Sequence, residues 1–215
     1  MLPSGCPAWQ YSSHPRRTEL LPAAVAALVS GIMAGEFPVA EYVPDTRPIH
    51  RDLFAGLGPA GHDYYVGNYR GFHKMCLRDY DVTVGDPLAC SRPAMVQADI
   101  SRFGMDVVDA VVAIEQALAA APQIFGPEQN AVAVVRISCL AFVRFLTIHP
   151  YADGNGHIAR SLLWIVLRHF GYIPDRWTIE PRPAIPNYLD LIAMHRRGIT
   201  APLEQFVLGS ISMVS

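Results

Sequence analysis

Two apolar stretches with helical spacing, one ending at Ile148 and one resuming near Gly156, are joined by His149-Pro150-Tyr151-Ala152-Asp153-Gly154-Asn155-Gly156-His157-Ile158-Ala159-Arg160. This junction restricts the fold more than any other part of the chain. Pro150 biases His149 away from helical dihedrals, so the first helix ends there and presents an imidazole at its tip. Gly154 and Gly156 permit positive φ, and Gly154-Asn155-Gly156 can fold so that successive N–H groups face one concavity able to hold an anion. A second helix starting near Gly156 aims its free N–H groups and positive dipole end at the same place, with Arg160 one turn in. A base, a carboxylate, an anion nest and a cation at one helix-loop-helix junction point to phosphate chemistry.

With 215 residues, 51% of them hydrophobic, the chain has enough apolar material for one domain with a real core. The net charge of −2 and the lack of any Lys/Arg run exclude the electrostatic footprint of a nucleic-acid binder. Cys6, Cys76, Cys90 and Cys139 show no C-x-x-C spacing, so reduced thiols and no cysteine-bound metal are expected. No basic segment followed by an apolar one opens the chain, and a cytoplasmic setting, or delivery into a host cytosol, is the expectation. The most membrane-like window, 131–148, carries Arg136 and Arg144, each costing about 2.5–3.5 kcal/mol on insertion scales, so it reads as a buried helix and no membrane partner is expected.

Along the chain, residues 1–20 read as a loose tail and Pro22–Ala34 as a helix ended by Gly35. Gly and Pro density makes 36–62 an irregular connection. The alternating residues between Tyr64 and Val84 predict one short β-hairpin, placed at about 72–84. Helices are predicted over 106–121, 127–148, 156–170, 187–197 and 202–210, with 156–170 the least polar and therefore central. The fold class is mainly α, a helical bundle with one small hairpin flap. The division is 1–62 as tail and accessory helix and 63–210 as the main domain.

The loop resembles the signature of the Fic (filamentation induced by cAMP) family, His-Pro-Phe-x-Asp/Glu-Gly-Asn-Gly-Arg-x-x-Arg. Seven of its nine defined positions are identical here, at His149, Pro150, Asp153, Gly154, Asn155, Gly156 and Arg160. Gly67-Asn68-Tyr69-Arg70 is similar to the segment preceding the family's substrate-docking hairpin, and 187–206 resembles its closing helices. The resemblance implies a protein adenylyltransferase of the nucleotidyltransferase class, a post-translational modification enzyme that moves AMP from ATP to a Ser, Thr or Tyr hydroxyl of a target protein. It implies His149 as the catalytic base, Asp153 as the magnesium ligand, and Gly154, Asn155, Gly156, His157, Arg160 and Tyr188 as nucleotide-binding residues. Mg²⁺ is the implied cofactor and ATP the co-substrate. The target would dock on the flap through main-chain pairing.

Two positions depart from the signature. Tyr151 replaces Phe, keeping the aromatic body and adding a hydroxyl that needs a partner. His157 replaces the first Arg, exchanging a permanent cation for a titratable ring of shorter reach. The family's inhibitory pattern, Ser/Thr-x-x-x-Glu-Gly/Asn, is missing, because none of the seven glutamates precedes Gly or Asn. The helix ending at Gly35 has Ser30 in register but Ala34 where the Glu would stand, so regulation falls to a separate inhibitory protein or to no brake of this kind. Other readings stay open: transfer of UMP, phosphoryl or phosphocholine groups on the same fold, a metal-dependent hydrolase using His149, Asp153 and His157, and a degenerate binding module.

Overall fold

The computed structural model describes residues 5–120 and 126–213. At its centre lie α6 (Pro127–Ile148) and α7 (Asn155–His169), joined by the loop of the signature. Every residue of α7 from His157 to Leu167 is buried. A helix with no solvent face must find partners inside the protein for each polar side chain it carries, and the site described below is built from those partnerships.

Around this pair, α5 (Pro93–Ala120) and α9 (Ala201–Leu208) pack on α6, while α1 (Arg17–Ala34) and α2 (Val39–Tyr42) pack on α7. The short α3 (Arg47–Leu53) lies against α1, α4 (Met75–Arg78) against α5, and α8 (Tyr188–Arg196) against α6 and α9. Pro at the first turn of α6 and α9 starts each helix where its missing N–H costs nothing. Gly35, at φ 80°, closes α1 with a left-handed C-cap. Strands β1 (Tyr172–Pro174) and β2 (Ile211–Met213) form an antiparallel pair in which Ile173 faces Ser212, fastening the end of the described chain to the segment after α7.

The mainly helical bundle agrees with the sequence expectation, and α6 matches its predicted bounds residue for residue. Several local expectations are corrected. The strand pair is not at 72–84. There the N–H groups of Gly71 and Phe72 turn to Leu77 and Tyr69, and α4 follows, so no first strand forms. Residues 79–85 keep the alternation of exposed and covered side chains that suggested a strand, but pair with no strand among the described residues. Residues 36–62 hold α2 and α3 rather than irregular chain. Helix α1 begins five residues before Pro22, and α5 begins at Pro93, well before the expected Asp106; its expected end at 121 lies outside the described residues.

The N-terminal segment is not loose either. Trp9 is buried at 4% exposure, donating its indole N–H to the Leu57 carbonyl at 2.8 Å, and Tyr11–Ser13 form a 3-10 turn. Cys6 is joined to Cys76 by a disulfide, against the expectation that all four thiols are reduced; Cys90 and Cys139 are free. Finally, α1 runs so that Arg17 lies at the signature end of α7 while Met33 accepts a hydrogen bond from Arg168 Nε. Ala34 therefore sits about 12 Å along α7 from Arg160, and the proposed inhibitory register at Ser30–Gly35 is not supported.

Candidate active site

The last carbonyls of α6 have no helical partners, and their treatment defines the site. Arg196 Nη2 donates to Leu146 O at 3.1 Å, and the Cys90 N–H donates to Thr147 O at 2.7 Å. Ser91 N–H and Arg70 Nη2 donate to Ile148 O at 3.1 and 3.3 Å, and Arg70 Nε donates to His149 O at 2.9 Å. Two guanidinium groups thus cap the negative end of the helix macrodipole. Arg70 is buried at 1% exposure and also donates to the Tyr80 and Ser91 carbonyls, so it joins α6 to the flap segment.

His149 is the C-cap of α6, in the left-handed region at φ 54° and ψ 60°, which turns its side chain off the helix. Its ring lines a cleft of about 700 Å³. Burial lowers its pKa to about 4, the Arg70 and Arg196 charges add to this, and the neighbouring Leu146 carbonyl opposes it. The ring is therefore neutral at pH 7, the form that accepts a proton.

Tyr151 is fully buried and its added hydroxyl finds Thr46 Oγ1 at 2.7 Å, while its ring stacks on His50 at 3.7 Å. Asn155 turns its side chain back to clamp both main-chain groups of Tyr151, at 2.9 Å each. This side chain therefore shapes the loop. Asp153 accepts the Gly154 N–H on Oδ1 at 2.8 Å and the Tyr11 N–H on Oδ2 at 3.0 Å. Burial raises its pKa above the ordinary carboxylate value despite those two donors.

Gly154, at φ 79°, is the N-cap of α7. A Cβ there would lie 2.4 Å from Phe54 Cε2, so glycine is required by space as well as by dihedral. The anion nest consists of two donors rather than three: Gly154 N–H is taken by Asp153, whereas Asn155 and Gly156 N–H have no partner among the described residues. These are the first N–H groups of a fifteen-residue helix, a natural place for an anion.

One face of α7 clasps the segment 177–180 residue by residue. Trp164 Nε1 donates to Trp177 O at 2.6 Å, Arg160 Nε to Ile179 O at 2.7 Å, and His157 Nε2 lies 2.9 Å from Glu180 Oε2. Arg17 Nη2 reaches Glu180 Oε1 at 2.6 Å. Burial holds the His157 pKa below its ordinary value although Glu180 opposes this, so His157 is a neutral donor to a carboxylate. Among the described residues, the two Nη groups of Arg160 make no ion pair. Tyr188, whose buried hydroxyl faces the Arg160 guanidinium, completes this wall.

All eight residues expected from the sequence, His149, Asp153, Gly154, Asn155, Gly156, His157, Arg160 and Tyr188, line this one cleft. His149, Asp153 and His157 do not form a three-ligand metal centre. Among the described residues no three His, Cys, Asp or Glu side chains gather, because α7 starts only at Asn155 and the loop separates the three. Sequence reasoning missed His50, Arg196, Asp86, Glu180 and Tyr11. Asp86 lies on the cleft rim and holds Arg196 at 3.0 Å, pinning the flap segment to α8.

The family model of the Fic/DOC family matches residues 43–167, more than half of the chain and all of the loop. The chain belongs to the Fic/DOC family. Two proteins named protein adenylyltransferase Fic, from Drosophila mojavensis and Drosophila grimshawi, are each 29% identical over 80 residues, which is 37% of this chain but 15% and 16% of theirs. The likeness to these curated relatives is thus confined to about a sixth of their length. A Fic domain from a Bartonella quintana VirB-translocated Bep effector protein, solved with bound ADP, has the same fold with a TM-score of 0.58 at 13% identity, over 100% of this chain and 95% of that one. A Fic domain containing signalling protein from Bacteroides thetaiotaomicron aligns at a TM-score of 0.52 and 21% identity, over 89% of this chain and 66% of that one.

Proposed function

We propose that this Fic domain transfers AMP from ATP to a Ser, Thr or Tyr hydroxyl of a target protein and releases pyrophosphate. The observation that carries the reading is the convergence on one cleft of the neutral His149 imidazole, two helix N–H groups without a partner among the described residues, the Asp153 carboxylate and the Arg160 guanidinium. His149 takes the hydroxyl proton as the oxygen attacks the α-phosphorus. One P–O bond forms, the bond to the bridging α–β oxygen breaks, and that electron pair leaves with pyrophosphate. The Asn155 and Gly156 N–H groups stabilise charge on the α-phosphate, and Arg160 faces the departing end.

Magnesium fits the donor set. Each Asp153 oxygen accepts only one N–H, leaving a lone pair, and the carboxylate is starved of positive charge by burial. Asp153 would hold the ion as its single protein carboxylate, with phosphates and water completing the shell, and the ion would supply charge neutralisation on the triphosphate. A target would pair with the main-chain edge at 81–85, which has no backbone partner among the described residues and whose Val84 and Gly85 line the cleft with His149.

The test is incubation of the chain with Mg²⁺, lysate and ATP labelled at the α- or γ-phosphate, with UTP and GTP in parallel, against His149→Ala. Protein-bound label from the α-phosphate that is lost in the variant supports the reading. Label only from the γ-phosphate moves it to phosphoryl transfer, and no label moves it to a binding module.

A further inference from the structure

Residues 6–14 lie outside the region matched by the Fic/DOC family, yet one of them, Tyr11, lines the cleft. The segment is fastened at several places. Cys6 is bonded to Cys76, the Tyr65 hydroxyl donates to Pro7 O at 3.0 Å, and Trp9 donates its indole N–H to Leu57 O at 2.8 Å and its main-chain N–H to Tyr80 Oη at 3.2 Å. Held in this way, Tyr11 gives its N–H to Asp153 and lays its ring against Phe54 at 4.9 Å and His157 at 5.3 Å. The phenol makes no hydrogen bond within the described protein, and the charges around it are those of Asp153, Glu180, Arg160 and Arg17. It therefore lines the cleft between Asp153 and Arg160.

His157 is committed to Glu180, and Arg17 has given one Nη group to the same carboxylate. Arg160 has already given its Nε to Ile179. The Tyr11 hydroxyl is an unengaged neutral donor there, and burial beside two carboxylates keeps it protonated. We propose that Tyr11 is a specificity-determining residue whose hydroxyl hydrogen-bonds the outer phosphates of the bound nucleotide, supplying the grip that His157 does not give. The proposal rests on the nucleotide reading of the cleft. It also makes the N-terminal segment part of the binding site.

Calorimetric titration of the full chain and of Tyr11→Phe with AMP, ADP and ATP, each with Mg²⁺, separates the possibilities. A hydrogen bond to a charged group lost without loss of the ring predicts about tenfold weaker ATP binding, a smaller loss for ADP and none for AMP. An equal loss for all three nucleotides would make Tyr11 a mere wall, and no loss for any would remove it from the site; either overturns the proposal alone. If the unaltered chain takes up none of the three, the nucleotide reading itself falls and takes this proposal with it.

Discussion

His50 Nε2 lies 3.1 Å from the carbonyl oxygen of Asp153, and its Nδ1 accepts the Gly67 N–H at 2.9 Å. The second contact leaves Nδ1 unprotonated, so Nε2–H is the donor, and one neutral ring behind the loop ties Asp153 to the turn at Gly67. The ring is fully buried, and desolvation lowers its pKa to about 3.

Acid stability follows from that shift. The unfolded chain binds a proton at His50 below about pH 6.5 while the folded chain does not, so the contribution is complete above pH 6.5 and is lost as pH falls toward 3. The slope is at most about 1.4 kcal/mol per pH unit for each such histidine, and His149, lowered to about 4, adds to it. Urea unfolding between pH 7 and 4.5 should show stability falling with acidity, with a shallower slope in His149→Ala. A flat profile would mean that the two rings are not neutral in the folded protein.

Transfer activity should share this signature. If His149 is the base, its depressed pKa keeps it in the proton-accepting form through the whole neutral range, so the rate should be level from about pH 8 to 6 and fall only toward pH 4. Arg196→Met removes one of the two cations beside the ring and should move that acid limb upward. An acid limb already centred near pH 6.5 in the unaltered chain would contradict the buried, cation-flanked setting.

The site was legible where chemistry forces residues to be close in sequence. Pro150 ends α6, Gly154 starts α7, and the residues between must share one turn, so His149, Asp153, the nest and Arg160 could be placed without coordinates. What supports them comes from far along the chain. Arg70, His50 and Tyr11 act on carbonyls and carboxylates 79, 103 and 142 residues away, and no local pattern announces such pairings. The hairpin failed for a related reason: the alternation at 79–85 reports one-sided burial, which an unpaired segment satisfies as well as a strand. The N-terminal prolines suggested a tail, but Trp9 and Cys6 anchor it through long-range contacts that composition does not reveal.

Gly154→Ala should disable the loop. The new Cβ would be 2.4 Å from one ring carbon of Phe54 and 2.6 Å from another, at a φ of 79° that L-residues adopt at a cost of about 1 kcal/mol. Phe54→Leu in the same chain should relieve the clash but leave the dihedral cost, so partial recovery of thermal stability is the expected outcome. No recovery would assign the defect to the backbone alone.

The Cys6–Cys76 bond should control the site as well as the fold. It closes a loop with a sequence separation of 70 residues, and losing it is expected to cost about 2–4 kcal/mol. The released segment carries the Tyr11 N–H that supports Asp153 and the hydroxyl proposed to meet the outer phosphates. Reductant and Cys76→Ser should therefore produce the same fall in melting temperature and the same loss of ATP affinity, and reductant should do nothing further to the variant. If Cys76→Ser melts and binds like the unaltered chain, the segment is held by Trp9 and its partners without help from the disulfide.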